Sequence, residues 1–289
     1  MSVVVPAHDE ETIIERMLRS LVSSDSNSRL DIVVVANGCR DATADVAAAI
    51  SPDIRVVQIP TASKIAALNA GDDAARFFPR AYVDADVTVS ADALLAVADC
   101  LHDETGTFVG APTLRIDVSG ADWAVRQYYR VWEQSEYRAT GHVGSGLYVL
   151  SRTGRSRFGR FPNVIADDRF VQQLFSTDER VTVGEHTFTV AAPRTFHALL
   201  NRATRIAAGN RQLTHTSDAG RPPVANATGN KNPARFGALF RRVLARPRLW
   251  LAFCTYCYAY LMPRVRARRM EASGRIPGWN RDETTRVGA

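Results

Sequence analysis

Asp84 and Asp86 close the segment Tyr82-Val-Asp-Ala-Asp86 and stand one residue apart. On an extended strand side chains alternate with a period of two, so both carboxylates project to the same side. Carboxylates that close repel one another and stay ionised only beside a cation or strong donors. A hard divalent ion shared with a diphosphate meets that need. The plainer alternative is a surface loop that happens to hold two acids. Against it stands the position of the pair, at the end of the fourth apolar run in a regular series.

Two other segments fall at equivalent places. Pro6-Ala-His-Asp-Glu10 follows the first apolar run, and Asn37-Gly-Cys-Arg-Asp41-Ala-Thr43 follows the second. Gly38 permits a tight turn. Asp41 and Thr43 suit capping of the next helix as well as ligand contact, and Glu10 suits a first-turn acid that complements the helix dipole. Lys64, one of two lysines among 36 basic residues, opens a helix directed at the same loops. Its ammonium there either reaches a ligand phosphate or ring or stays solvated.

The elements that position these residues alternate in type. Strands are expected over 2–6, 31–36, 54–59 and 81–84, with helices over 10–23, 43–50 and 64–78. In the first helix Ile13, Ile14, Met17, Leu18, Leu21 and Val22 form an apolar stripe. The strands are apolar without alternation, as when helices cover both faces of a parallel sheet. The fold class is therefore α/β, a Rossmann-like doubly wound sheet with ligands beyond the carboxyl ends of its strands. Farther on we expect a helix over 123–140, a strand over 147–150, a helix from Asp167, short strands over 181–183 and 187–191, and a helix over 195–213. Residues 214–233 are polar and rich in Gly, Pro and Asn and read as a linker or lid.

The segments VVVPAHDEE, VVVANGCRDAT, SKIAALNAG, YVDADV, GSGLYVLS and ADDRFVQQL, in this order, resemble family 2 glycosyltransferases of the GT-A fold over about residues 2–213. The resemblance implies a catalytic domain over 1–213, with a nucleotide-binding half (1–90) and an acceptor half (91–213), and a mixed sheet. It implies that Pro6, Ala7 and Glu10 line a nucleoside pocket, that Lys64 lies near the nucleotide, and that Asp84 meets the ribose or the metal-bound diphosphate. Asp86 is then a direct ligand of Mg²⁺ or Mn²⁺. Ala36 stands where the family often has a base-reading Asp, which passes that contact to Asn37 or Asp41 and leaves the choice of a UDP or GDP sugar open. Asp167-Asp168 matches the family's acidic pair. An acceptor hydroxyl must shed its proton as it attacks, which makes Asp168 the expected general base and Asp167 its support or a helix cap. Gly144, Ser145 and Gly146 are expected beside the acceptor or donor sugar. Arg202 and Arg205 match a segment that reads QxxRW in processive synthases. Here Arg202 replaces Gln and Ile206 replaces Trp, which argues against processive synthesis, while the arginines remain candidates for the departing diphosphate. His186 and His197 are candidate third metal ligands.

The 289 residues, 46% hydrophobic and 23% charged, allow a sizeable core and exclude disorder as the main state. The net charge of +6 gathers in the C-terminal region, 234–289, where arginines bracket the aromatic run containing Trp250, Phe253, Tyr256, Tyr258 and Tyr260. Such a helix either lies on an anionic membrane as a peripheral contact or packs on the catalytic domain. Its uncharged stretch, 249–262, is too short to span a bilayer. Cys254 and Cys257 read as helix packing, since no second ligand pair stands near. No secretion signal or disulfide framework is visible, so the expected place is the cytoplasm, at the inner face of the cell membrane. The expected activity is inverting transfer from a nucleoside-diphosphate sugar to a glycan or lipid-linked acceptor, in cell-envelope, exopolysaccharide or glycolipid synthesis. The rivals are a sugar-nucleotide pyrophosphorylase and a non-catalytic relative. The first would need a Gly-rich basic loop where Pro6–Glu10 is acidic, and the second should have lost one of the carboxylates. No nucleic-acid-binding module is recognisable.

Overall fold

The computed structural model describes residues 1–23, 25–135, 143–217 and 233–273. The amino-terminal part alternates as expected. It runs β1 (Ser2–Ala7), α1 (Ile14–Val22), β2 (Asp31–Asn37), α2 (Thr43–Ile50), β3 (Arg55–Ile59), α3 (Lys64–Ala74) and β4 (Arg80–Val83). Two helices are shorter than their apolar pattern. The start of α1 is delayed because Glu11 is tied to the loop after β2, its N–H on Asp41 and its carboxylate on the N–H of Ala42. The end of α3 comes early because the N–H groups of Arg76 and Phe77 turn to Ser2 Oγ and Asp31 instead of to the helix.

Then follow β5 (Val87–Thr88), α4 (Ala91–Asp99), β6 (Val109–Asp117), α5 (Trp123–Trp132), β7 (Leu147–Leu150), α6 (Arg152–Ser156), α7 (Asp167–Gln173), β8 (Arg180–Ala191) and α8 (Phe196–Ser217). The two short strands expected over 181–183 and 187–191 are one strand. Its register on β6 jumps from Pro112↔Val183 to Thr113↔Thr187, which leaves residues 184–186 as a bulge. The helix expected over 123–140 ends already at Trp132, where Glu133 caps it and the chain turns, while residues 136–140 and residues 218–232 of the expected linker lie outside the described residues. At its edges, 214–217 continue α8 and residue 233 opens α9 (Pro233–Leu244), which is followed by α10 (Trp250–Ala272).

The eight strands form one mixed sheet in the order β3-β2-β1-β4-β7-β6-β8-β5. The first four are parallel, and β7 runs antiparallel between β4 and β6. Val3 and Val5 enter one core with Ile14, Met17 and Leu18 of α1 and Leu94 of α4. Val4 enters a second core with Leu68, Tyr82, Tyr148 and Phe170. Both faces of β1 are thus covered, the physical origin of its unbroken apolar run. A Cβ at Gly71 would stand 2.3 Å from Val4 Cγ1, so the missing side chain lets α3 lie flat on β1 and fixes where its first residue, Lys64, points.

Candidate active site

The pairing of β4 with β7 creates the site. Val83 faces Leu147 in antiparallel register, and the Asp84 N–H donates to the Gly146 carbonyl at 2.8 Å. The residues just after β4 and just before β7 are therefore neighbours, though about sixty positions separate them. Past Val83 the chain leaves the strand in a tight turn, in which the Val87 N–H donates to the Asp84 carbonyl at 3.0 Å; Ala85 is buried while Asp84 and Asp86 stay half-buried. The two carboxylates are therefore set by a turn and not by the strand alternation expected from the sequence, though Asp86 still lies near enough to Asp84 to raise its carboxyl.

Lys64 joins this pair to the second one. Its Nζ lies 2.7 Å from Asp84 Oδ1 and 2.9 Å from Asp167 Oδ1. Asp167 is 3% exposed, and its other oxygen faces the Tyr148 hydroxyl at 3.4 Å. It does not cap α7. The cap position is Ala166, with no side-chain hydrogen bond, because the Asp167 carboxylate is turned inward to Lys64. Asp168 is the more open of the two. Its Oδ2 accepts the Ser145 N–H at 2.9 Å and its Oδ1 that of Arg169 at 2.7 Å.

Gly144, Ser145 and Gly146 all have positive φ, and the two glycines are close-contact points. A Cβ at Gly144 would meet Asp168 Oδ2 at 3.0 Å, and one at Gly146 would meet Asp84 Oδ2 at 3.1 Å. The turn therefore passes against a carboxylate of each pair, and its missing side chains are what permit this.

Burial pushes the Asp84 carboxyl up to about 7, with Asp167 and Asp86 adding to the rise and Lys64 opposing it. Burial also raises Asp168, helped by Asp167 and resisted by Lys64 and the Ser145 N–H. Burial works against the charge of Lys64, but Asp167 and Asp84 outweigh it and hold the ammonium well above its ordinary value. One cation thus faces an acid-rich pocket. Asp84 and Asp86 offer hard oxygen ligands and leave the other positions of a divalent ion to water or phosphate, as Mg²⁺ favours. The donor set fits such an ion.

The loops after β1 and β2 are knitted to each other. Thr43, fully buried, accepts the Glu10 N–H and donates to Asp41 Oδ1. Asp41 Oδ2 accepts the Glu11 N–H. Asp41 and Thr43 thus tie the two loops together, in place of the helix capping expected from the sequence: the cap position of α2 is Ala42, with no side-chain cap hydrogen bond. Asn37 is fully buried, its amide donating to the Ala7 carbonyl at 2.6 Å, while its Oδ1 has no hydrogen-bond partner. Glu10 is 6% exposed at the head of this frame. Pro6 and Ala7 end β1 beneath it.

Arg202 donates to the Ala191 carbonyl at 3.5 Å, and Arg205 lies one turn farther along α8. That helix passes beside the acidic pair, because Gly209 packs on Ile165 and Ala166 and Gln212 accepts the Ile165 N–H. Of the candidate third ligands, His186 sits in the β8 bulge and His197 is exposed on α8. Among the described residues the only set of three metal-ligand types within reach of one another is His8, Asp9 and Cys39, and it includes neither. Sequence reasoning missed Tyr148 and Gly209. Tyr148 stands opposite Tyr82 in the β4–β7 register, with rings 5.1 Å apart, a pairing that no local sequence signal announces.

Comparison with solved structures finds the same fold. The mannosyltransferase PcManGT from Pyrobaculum calidifontis, in complex with GDP-Man and Mn²⁺, is 22% identical, spans 94% of this chain and 78% of its own, and superposes with a TM-score of 0.59. Glucosyl-3-phosphoglycerate synthase from Mycobacterium tuberculosis, in complex with Mn²⁺, UDP-Glc and phosphoglyceric acid, is 21% identical over 65% of this chain and 70% of its own, with a TM-score of 0.49. No curated protein sequence matches significantly. The sequence profile described as "Glycosyl transferase family 2" matches residues 2–160, more than half of the chain. With its mixed sheet and the carboxylates gathered at the strand ends, the chain belongs to glycosyl transferase family 2.

Proposed function

We propose that this chain moves a sugar from a UDP or GDP sugar to an acceptor hydroxyl with inversion, using Mg²⁺ or Mn²⁺ held by Asp84 and Asp86. The observation that carries this reading is the Lys64 bridge, which joins the Asp84 end of the pocket to Asp167-Asp168 in one cluster. Pro6, Ala7, Glu10, Asn37 and Asp41 frame the nucleoside, and Asp84 and Lys64 lie towards the diphosphate. The Pyrobaculum mannosyltransferase, which shares the fold, holds GDP-Man and Mn²⁺. A donor of that class suits a pocket lined by the Asp84 and Asp86 carboxylates beside the Lys64 ammonium.

The acceptor oxygen attacks the anomeric carbon, its proton passes to Asp168, and the bond from that carbon to the diphosphate oxygen breaks on the opposite side. Burial makes Asp168 a stronger base than a solvated aspartate. The Ser145 N–H holds it in place, and the absence of a side chain at Gly144 leaves room for it. A divalent ion held by Asp84 and Asp86 would offset charge that grows on the leaving diphosphate. Arg202 and Arg205, on the helix that passes the acidic pair, add to this. The acceptor is a glycan or lipid-linked sugar of cell-envelope, exopolysaccharide or glycolipid synthesis, met at the inner face of the membrane. A pyrophosphorylase reading is disfavoured by the acidic loop after β1, and a non-catalytic one by the presence of all four aspartates.

Nucleotide sugars screened by thermal shift and donor hydrolysis test this. Stabilisation by one donor that requires Mn²⁺ or Mg²⁺ is expected, and binding of none would overturn the reading. Asp168→Asn should keep donor binding and lose transfer by about a hundredfold or more. Unimpaired transfer would remove Asp168 from the mechanism.

A further inference from the structure

The last long helix, α10, carries two apolar faces. Ala252, Tyr256, Ala259, Pro263 and Ala267 are buried. Ala259 joins a core with Val125 and Tyr129 of α5 and Leu199 and Leu200 of α8, and Ala252 and Tyr256 join one with Leu239 and Val243 of α9. On the opposite side Trp250, Leu251, Cys254, Tyr258, Leu261 and Val265 are all exposed, with Leu251 at 64% and Leu261 at 59%. At 3.6 residues per turn these six fall within about 100° of arc. A stripe of that width is what a helix normally buries. Phe240 and Leu244 of α9 are exposed as well. None of these residues belongs to the site described above.

The charges around the stripe select its partner. Exposed Arg246 and Arg248 precede it, and exposed Arg264, Arg268 and Arg269 follow it. A second copy of α10, laid down in either direction, would bring arginine-rich ends together. An anionic lipid surface places its headgroups against the arginines and its acyl boundary against the stripe, with Trp250 and Tyr258 suited to the level between. Among the described residues no helix is long and apolar enough to cross a membrane. We infer that α10 lies flat on an anionic membrane, its Leu251–Leu261–Val265 face dipped below the headgroups and its flanking arginines on the phosphates. This deepens the reading of a membrane-borne acceptor, yet it holds or fails independently of catalysis.

Deleting α10 would strip the core shared with α5 and α8, so the test uses surface substitutions in the full chain. Co-sedimentation with vesicles of phosphatidylcholine and phosphatidylglycerol should retain the wild type, and vesicles of phosphatidylcholine alone should retain at least tenfold less. Leu251→Glu with Leu261→Glu should lower binding to the anionic vesicles at least tenfold. Arg264→Gln with Arg268→Gln should weaken binding several-fold and flatten its salt dependence. Circular dichroism and metal-dependent donor hydrolysis in solution should stay unchanged in both variants, which separates loss of docking from loss of fold or of the catalytic reading. Failure of the wild type to bind anionic vesicles would overturn the inference. So would Glu variants that bind as well as wild type, or a solution dimer that Leu261→Glu dissolves.

Discussion

Lys64 sets the balance of the site. A single ammonium stands within hydrogen-bond reach of two carboxylates, with Asp86 and Asp168 close by. Because burial outweighs that attraction at Asp84, its carboxyl is pushed up to about 7. A raised carboxyl pKa stabilises the fold fully below the unfolded value of 3.8, and the contribution is lost as pH rises through about 7. In EDTA the Asp84→Asn variant should therefore gain on the wild type in urea denaturation from about pH 4 to about pH 7, then hold level. Mn²⁺ selects the ionised carboxylate and should favour the wild type alone. A gap that does not change with pH would show that Asp84 is not perturbed. That two acids close the fourth strand was legible in the sequence because it depends on neighbours in the chain, whereas the turn that sets their geometry was not. That Lys64 spans to Asp167 was not, since nothing local fixes which of the many acids a lysine meets.

The strand β7 decides the geometry at the level of elements. It enters antiparallel between β4 and β6 and presents the 144–146 turn to both acidic pairs. Gly144 has φ +123, which an L side chain rarely adopts, and its Cβ would press on Asp168. Gly144→Ala should lower transfer at least tenfold while metal-dependent donor binding persists, at a stability cost of about 1–3 kcal/mol. Steady-state kinetics beside a binding titration would check it, and an equal loss of both would point to general damage. The first four strands were legible from unbroken apolar runs. The strand β6 was not assigned, since Gly110 and Pro112 interrupt its apolar run; Pro112 sits beside the register jump. Nor was α4 assigned from sequence, although Ser90 accepts the Ala93 N–H as its cap, a signal that was there to be read.

In the whole molecule the C-terminal helices share their core with α5 and α8. Tyr256, 8% exposed, stacks on Tyr128 of α5 with centroids 5.3 Å apart. Tyr256→Ala should cost about 3–5 kcal/mol in chemical denaturation, with a single transition for the whole protein. A loss below about 1 kcal/mol, or two separate transitions, would mean that α10 adds little to the catalytic fold. Packing on the catalytic domain and contact with a membrane were competing readings of this aromatic helix. The two faces make them compatible.

By itself the sequence determined the α/β class, the succession of the first four strands along the chain, the acids at the end of the fourth and the family. These rest on apolar periodicity and on short motifs, which act over a few residues. Tertiary structure decided how the two acidic pairs meet, which residue neutralises them, and which face of α10 is left outside. Each of those depends on contacts between segments far apart in the chain, and their energies are settled only when the sheet closes around β7 and buries the charges together.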